Sequence, residues 1–254
     1  MDLCLAAACI ATPAAAAATP ADIPADPSAG SVAPTTAYDP WEPVNRPLFA
    51  LGMGVDRAVL RPIAHGYVRV TPQAVRNRVS SMVYNLGEPS TALEDVLQGR
   101  PGRAGRATLR FVVNSTVGVL GLFDVARQWG VAPHEADFGQ TLARYGAQPG
   151  PYLYVPVVGP LNLRDGVGRV VDVATDPVGF VTGPLTSTPG AARWGVTSLD
   201  QRASGETAFR ALEDATDPYV TTRSAYTQYR AAIVASATGE PQALPDFDID
   251  PPQP

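Results

Sequence analysis

From Asp39 onward, large apolar residues return every three or four positions, the period of an α-helix and not the strict alternation of a strand. A first helix is expected from Glu42 towards Leu60, with Phe49, Met53 and Val59 among its apolar positions. Arg61-Pro62 should stop it, because proline cannot continue the hydrogen-bond ladder. Pro72 suits the first turn of a second helix through Val75, Val79 and Met82. Pro89 should open a third, through Leu93 and Leu97 to a stop at Gly99. Near the C-terminus, Asp217 is placed to cap a helix with Pro218 in its first turn. On that helix Tyr219, Tyr226, Tyr229 and Ile233 make an apolar stripe flanked by Arg223 and Arg230. Packing against the body accounts for such tyrosines, and so does an interface that is apolar on one side and wet on the other.

The middle of the chain departs from the ordinary amphipathic pattern. Arg103, Arg106 and Arg110 fall at i, i+3 and i+7, one stripe of a helix whose other faces carry Leu109, Phe111, Val112, Val113 and Val117. A basic stripe on so apolar a helix suits a membrane interface or an amphipathic channel wall. The alternative is a core helix with its solvated face outward. Three uncharged runs follow: 111–123, 145–163 and 177–192. The first is too short to cross a bilayer, which takes roughly 20 apolar residues. The second is broken by four prolines and three glycines, and the third by Pro177, Pro184 and Pro189. Broken apolar segments at membrane depth are tolerated only when packed in protein or lining a cavity. A body set into one leaflet fits this better than one crossing the bilayer repeatedly.

Composition narrows the chemistry. The chain has 254 residues, 45% of them hydrophobic, and a net charge of −5, which leaves no basic field for nucleic acid. All 19 basic residues are arginine. Without lysine there is no Schiff base and no phosphate-loop lysine. Arginine does suit phosphate, through its paired donors. The two cysteines, Cys4 and Cys9, both lie in the first ten residues, so the body holds no disulfide, thiolate metal site or cysteine nucleophile.

The ends read differently from the body. Residues 1–18 are expected to be an export or lipoprotein signal, possessing an apolar stretch but no positive start. Cys9 follows Leu5-Ala6-Ala7-Ala8 and is the candidate lipidation site; cleavage within Ala14–Ala18 is the competing expectation. Residues 19–37, rich in proline and alanine, are expected to form a disordered tether. Residues 38–236 form the helical domain, and 237–254 an acidic, proline-rich tail.

The search for catalytic motifs comes back empty. His65 lies in a turn-like Ala-His-Gly setting, and His134-Glu135-Ala136-Asp137 has no second histidine nearby, so a solvent-exposed loop is expected there. Neither His-Glu-x-x-His nor Gly-x-Ser-x-Gly occurs. Asp165 and Asp172 bracket a glycine-rich stretch whose spacing matches no metal loop. No cofactor is expected.

Several blocks in register resemble the MlaA/VacJ family of outer-membrane lipoproteins. They begin with Asp39-Pro40-Trp41-Glu42-Pro43-Val44-Asn45-Arg46, then Arg61-Pro62-Ile63-Ala64, Asn85-Leu86 with Glu88-Pro89, and Leu97-Gln98-Gly99. Arg110-Phe111, Asn114 and Gly121-Leu122-Phe123-Asp124 continue the order. The densest block runs from Asp137-Phe138-Gly139-Gln140-Thr141-Leu142 to Leu163-Arg164-Asp165, and Asp217-Pro218-Tyr219 with Arg223 closes it. The resemblance implies a mainly α fold with few or no strands, a ring or disc of amphipathic helices around a central channel. It implies a non-catalytic component on the periplasmic, inner-leaflet side of the outer membrane, passing mislocalised phospholipid to a periplasmic shuttle protein and so maintaining lipid asymmetry. A trimeric outer-membrane porin is the implied partner. A lipid hydrolase using His134, Glu135 or Asp137, and a purely structural porin-associated lipoprotein, are the competing readings. Arg103, Arg106, Arg110, Arg144 and Arg164 are the candidate lipid-path residues. Glutamate at Arg110 or Arg164 is expected to weaken asymmetry without removing the protein.

Overall fold

The computed structural model describes residues 38–182 and 188–238. The signal, the tether, Cys9 and residues 239–254 of the expected acidic tail lie outside the described residues, while residues 237 and 238, expected in that tail, belong to the last helix. Among the described residues the chain is helical apart from one hairpin.

Helix α1 (Glu42–Val55) starts with Pro43 in its first turn, where the missing N–H is no loss. It does not stop at Arg61-Pro62. A π-helical turn over Asp56–Leu60 leads directly into α2 (Arg61–Val70), with Pro62 at its start. The wider turn takes up the proline ring, which in a regular helix strikes the carbonyl four residues back. It also has a use: Asp56, wholly buried, meets the Arg202 guanidinium at 2.7 and 3.1 Å. His65 accordingly sits on a helix and not in a turn, exposed and 3.2 Å from Glu206.

Pro72 precedes α3 (Gln73–Leu97), a 25-residue helix about 37 Å long at the usual rise. Pro89 lies inside it and opens nothing. An interior proline costs about 3 kcal/mol, and the neighbouring contacts outweigh that here: Glu88, one residue earlier, is buried against Arg110 at 2.5 Å. The stop at Gly99 is as the sequence indicates. Gly99 takes φ +68, and the amides of Gly99 and Arg100 return to the carbonyls of Val96 and Asp95, a Schellman ending. Helix α4 (Pro101–Thr116) runs back along α3.

The uncharged run after α4 is a turn with Val119, Leu120 and Gly121 all at positive φ. A β-branched residue rarely adopts that conformation. It is held by the Gly121 amide on the Asn114 carbonyl at 2.7 Å and by close approach of Gly121 to the Asn85 side chain. Short helices α5 (Val125–Gln128) and α6 (Phe138–Arg144) follow, capped by Asp124 and Asp137.

The proline-broken run forms an antiparallel hairpin, β1 (Tyr152–Val155) and β2 (Gly159–Asn162), with Tyr152 opposite Asn162. Asn162 then caps α7 (Leu163–Thr175). Helices α8 (Pro177–Thr182), α9 (Thr188–Ser204), α10 (Glu206–Glu213) and α11 (Pro218–Thr238) complete the body. Asp217 caps α11 through the Val220 amide, as expected.

The apolar core is compact and aromatic. Phe49 and Met53 of α1, Tyr152 and Tyr154 of β1, Phe209 of α10, and Tyr219 and Tyr226 of α11 pack together. The rings of Phe49, Tyr154 and Tyr219 meet edge to face, Phe49 lying 5.2 and 5.7 Å from the other two, a geometry worth about 1 kcal/mol per pair beyond burial. Buried Asn45 ties α1 to this hairpin, accepting from the Tyr154 amide and donating to the Tyr152 carbonyl. The stripe on α11 therefore divides: Tyr219 and Tyr226 pack into the core, while Tyr229 and Ile233 are half-buried.

Candidate functional site

Away from that core, the body is turned inside out. Helix α4 buries Arg110 and Asn114 beside Val113 and two alanines, while Leu109 and Val112, with Val117 just after it, stand out about half exposed. Helix α7 behaves alike, burying Arg164 and Gly168 and exposing Leu163, Val167 and Val170 at helical spacing. On α8, Phe180 is 78% and Val181 87% exposed. The turn after α4 presents Val119 and Leu120 to the outside as well. Isolated exposed apolar residues mean nothing, but buried charge combined with an apolar exterior on successive helices is informative. No described helix is long and apolar enough to cross a membrane.

Most of the buried charges are paired; Glu94 and Asp200 instead accept from the hydroxyls of Thr141 and Ser80. Arg110 is only 2% exposed, and it donates to Glu88 at 2.5 Å, to the Val131 carbonyl at 2.6 Å and to Asp124 at 3.1 Å. Burial pushes the Glu88 carboxyl above the ordinary range against the pull of Arg110. At Asp124 burial acts in the same sense, but Arg110, the Arg127 amide and Asn114 outweigh it and hold the carboxyl low. Arg230 of α11 spans Asp137 and Asp165 at 2.7 and 2.8 Å, stapling α11 to α6 and α7. Arg202 bonds Asp56 and lies 4.0 Å over the Phe209 ring. Truncating one partner of such a pair costs about 3–5 kcal/mol, because the other charge is stranded.

The arginines expected to share one stripe are separated by their partners. Arg103 reaches Asp95 at 3.2 Å, Arg106 is exposed, and Arg110 is buried. Arg144 is exposed and touches the Ala237 carbonyl at 3.4 Å, and Arg164 is buried beside Asp165 at 2.9 Å. For Arg110, glutamate would set a third carboxylate beside Glu88 and Asp124, so loss of the protein, and not of asymmetry alone, becomes the expected outcome of that substitution. His134 is in a loop but is not free in solvent, since its Nε2 lies 2.5 Å from fully buried Asp95 at the end of α3. No group of His, Cys, Asp or Glu among the described residues is arranged to hold a metal ion.

Asp172, one of the two acids that bracket the glycine-rich stretch, accepts from the Phe138 amide at 3.0 Å. Burial, against that amide and together with the charges of Asp137 and Glu94, pushes its carboxyl up to about 7. The native state thus keeps a proton that the unfolded chain, near an ordinary 3.8, releases. This contribution to stability is full below the unfolded value and is lost as the pH rises through about 7. Denaturation midpoints taken between about pH 4 and pH 7 should therefore fall less steeply with pH in Asp172→Asn than in the parent. Parallel slopes would contradict the assignment.

A polar cavity of about 320 Å³ opens between α3 and α9, lined by Gln73, Arg76, Asn77 and Ser80 on one wall and Asp200, Ala203 and Ser204 on the other. None of the five candidate arginines lines it. Its α3 wall falls at i, i+3, i+4 and i+7, a polar stripe legible in the sequence but missed beside the more conspicuous arginines. The α9 wall carries no such signal, because Asp200 meets Ser80 only through the fold, 120 residues away and at 2.6 Å.

Comparison with known proteins places this architecture. Residues 37–233 match the family model described as MlaA lipoprotein. A protein of Rickettsia felis is 37% identical over 204 residues, covering 78% of each chain. The intermembrane phospholipid transport system lipoprotein MlaA of Escherichia coli (strain K12) is 31% identical over 214 residues, 82% of this chain and 83% of that one. A structure solved under the heading "Structural basis for maintenance of bacterial outer membrane lipid asymmetry" superposes with a TM-score of 0.68 at 33% identity, covering 77% of this chain and 98% of that one. The match runs through nearly all of the inverted helical body, and the chain belongs to the MlaA lipoprotein family.

Proposed function

We propose that this chain is a non-catalytic phospholipid passage of the outer membrane, seated in the inner leaflet on the periplasmic side. It takes mislocalised phospholipid from the outer leaflet towards a periplasmic carrier and so maintains lipid asymmetry. The observation that carries this reading is the reversed polarity of α4 and α7, with Arg110 and Arg164 inside and Leu109, Val112, Val167 and Val170 outside. A body of this kind gains by placing its exterior in hydrocarbon, at about 25 cal/mol for each Å² of apolar surface withdrawn from water. The polar cavity between α3 and α9 then supplies a route, or part of one, for a headgroup through a body whose outside suits acyl chains.

Under this reading Cys9 carries the lipid anchor, a porin trimer meets part of the apolar exterior, and a shuttle protein meets the periplasmic face. Of the five candidate arginines, those accessible to a headgroup phosphate are Arg103, half-buried, with Arg106 and Arg144, both exposed. Arg110 and Arg164 hold the wall behind them through their ion pairs.

A strain lacking the gene should accumulate phospholipid in the outer leaflet and become sensitive to detergent, and the full chain should reverse both. His134→Ala should reverse them equally well, since Asp95 keeps its ion pair with Arg103 when the imidazole is gone. Failure of His134→Ala with normal protein levels would favour the hydrolase reading instead.

A further inference from the structure

The cavity between α3 and α9 holds two charges of opposite sign that form no ion pair with each other. Asp200 is buried and accepts from the Ser80 hydroxyl at 2.6 Å, yet it forms no ion pair with an arginine among the described residues. Arg76, half-buried, is held by the Val68 carbonyl at 3.1 Å and by the Gln73 side chain, and it has no carboxylate within ion-pairing distance among the described residues. The arginines that lie deeper, Arg110, Arg164, Arg202 and Arg230, are all paired with acids. Both Arg76 and Asp200 instead face the same 320 Å³ of space.

Tyr67 adds an independent observation. Its hydroxyl is buried with no hydrogen-bond partner among the described residues and, although it does not line the cavity, it feels the charges of both Asp200 and Arg76. A buried hydroxyl left unpaired costs about 1–3 kcal/mol, so the polar network behind the cavity wall is incomplete. Burial also pushes the Asp200 carboxyl up, against Ser80 and Arg76, as expected of an acid awaiting a cation.

We propose that this cavity seats the zwitterionic headgroup of an aminophospholipid, with the phosphate towards Arg76 and the primary ammonium towards Asp200. A simple anion there would meet Asp200, and a simple cation would meet Arg76; a ligand carrying both charges satisfies the two walls together. A primary ammonium has three donors for Asp200 and the side-chain oxygen of Asn77. Trimethylammonium has none and favours aromatic faces, which this lining lacks. The acyl chains have a place to lie, since Val68, Val70 and Val75 stand exposed where α2 turns into α3 beside Arg76. The inference rests on the phospholipid reading and adds to it a headgroup preference, ethanolamine over glycerol or choline.

The test is native mass spectrometry of the full chain in detergent micelles holding equal amounts of phosphatidylethanolamine, phosphatidylglycerol and phosphatidylcholine. The ethanolamine lipid should be retained about ten-fold over each of the others. Asp200→Asn, which keeps an acceptor for Ser80, should bring ethanolamine and glycerol lipids to about equal retention. Arg76→Gln should lower all three, and Ser204→Trp, which fills the cavity from its exposed rim, should do the same. Equal retention by the parent, or a preference unchanged in both Asp200→Asn and Ser204→Trp, would overturn the assignment while leaving the passage reading standing. Retention of no lipid at all would instead strike the passage reading. Displacement by phosphoethanolamine at a concentration equal to the lipid would make this a site for the free zwitterion and overturn the lipid assignment.

Discussion

Replacing Arg110 with methionine should remove most folded protein from the membrane fraction, whereas Arg106→Ala, four residues earlier, should be almost silent. Both side chains belong to the same basic stripe in sequence, but only one has been taken out of water. Arg110 holds Glu88, Asp124 and the Val131 carbonyl together, and so joins α3, α4 and the turn before α5. Its loss strands the buried Glu88 carboxylate and takes from Asp124 its charge partner, leaving it Asn114 and the Arg127 amide, a cost of about 3–5 kcal/mol against a total stability of roughly 5–15 kcal/mol. Arg106 is exposed, and a surface arginine contributes about 0.5 kcal/mol or less. Abundance on immunoblots and midpoints in detergent would show the contrast. Equal abundance of the two variants would mean that the ion-pair network is not what holds α3 to α4. The triple variant Glu88→Gln, Arg110→Met, Asp124→Asn should recover a good part of the loss, since no charge is then left without a partner.

The second large effect concerns the outside. Glutamate at Val112 and at Val170, on α4 and α7, should release the body from membranes without unfolding it. Both side chains are exposed, 51% and 70%, so neither substitution disturbs packing. In a water-soluble protein such changes are neutral or improve solubility. In a body embedded through these faces each charge costs about 2 kcal/mol or more, depending on depth. Flotation with vesicles should therefore move from membrane-bound to largely free for the double variant, with unchanged helical circular dichroism. An anchor at Cys9 would mask the shift, so the comparison is made on chains with Cys9 replaced.

These two predictions turn on a feature that periodicity cannot supply. Spacing says that Arg103, Arg106 and Arg110 share a stripe and that Leu109 and Val112 lie elsewhere on the helix. It does not say which side faces in. In water the apolar side is inward by default, and the alternative considered for α4, a core helix with its charged side in solvent, follows that default. Glu88 and Asp124 draw Arg110 inward instead, and both are too distant in sequence for a helical pattern to connect them. The same limit hid the cavity: its α3 stripe is readable, its partner Asp200 is not.

Local stop signals were legible where the backbone alone decides. Gly99 ends α3 because it takes a positive φ, and Asp217 caps α11 because an acid before a proline turn has an amide to accept. Pro62 and Pro89 misled because tertiary contacts decide them. The first is absorbed by a π turn that delivers Asp56 to Arg202, and the second by a helix pinned at Glu88. The hairpin of 152–162 was masked by prolines that sit at its turn and at the paired edge residue Pro160.

Spin labels placed one at a time at Val112, Val170 and Phe180, with Arg106 and Glu135 as controls, would measure where the exterior lies when the chain is reconstituted in bilayers. Seating in one leaflet predicts that the first three collide with oxygen far more often than with a water-soluble nickel chelate. The two controls should show the opposite ratio. A ratio at Val112 and Val170 as aqueous as that at Arg106 would mean that these faces never meet hydrocarbon.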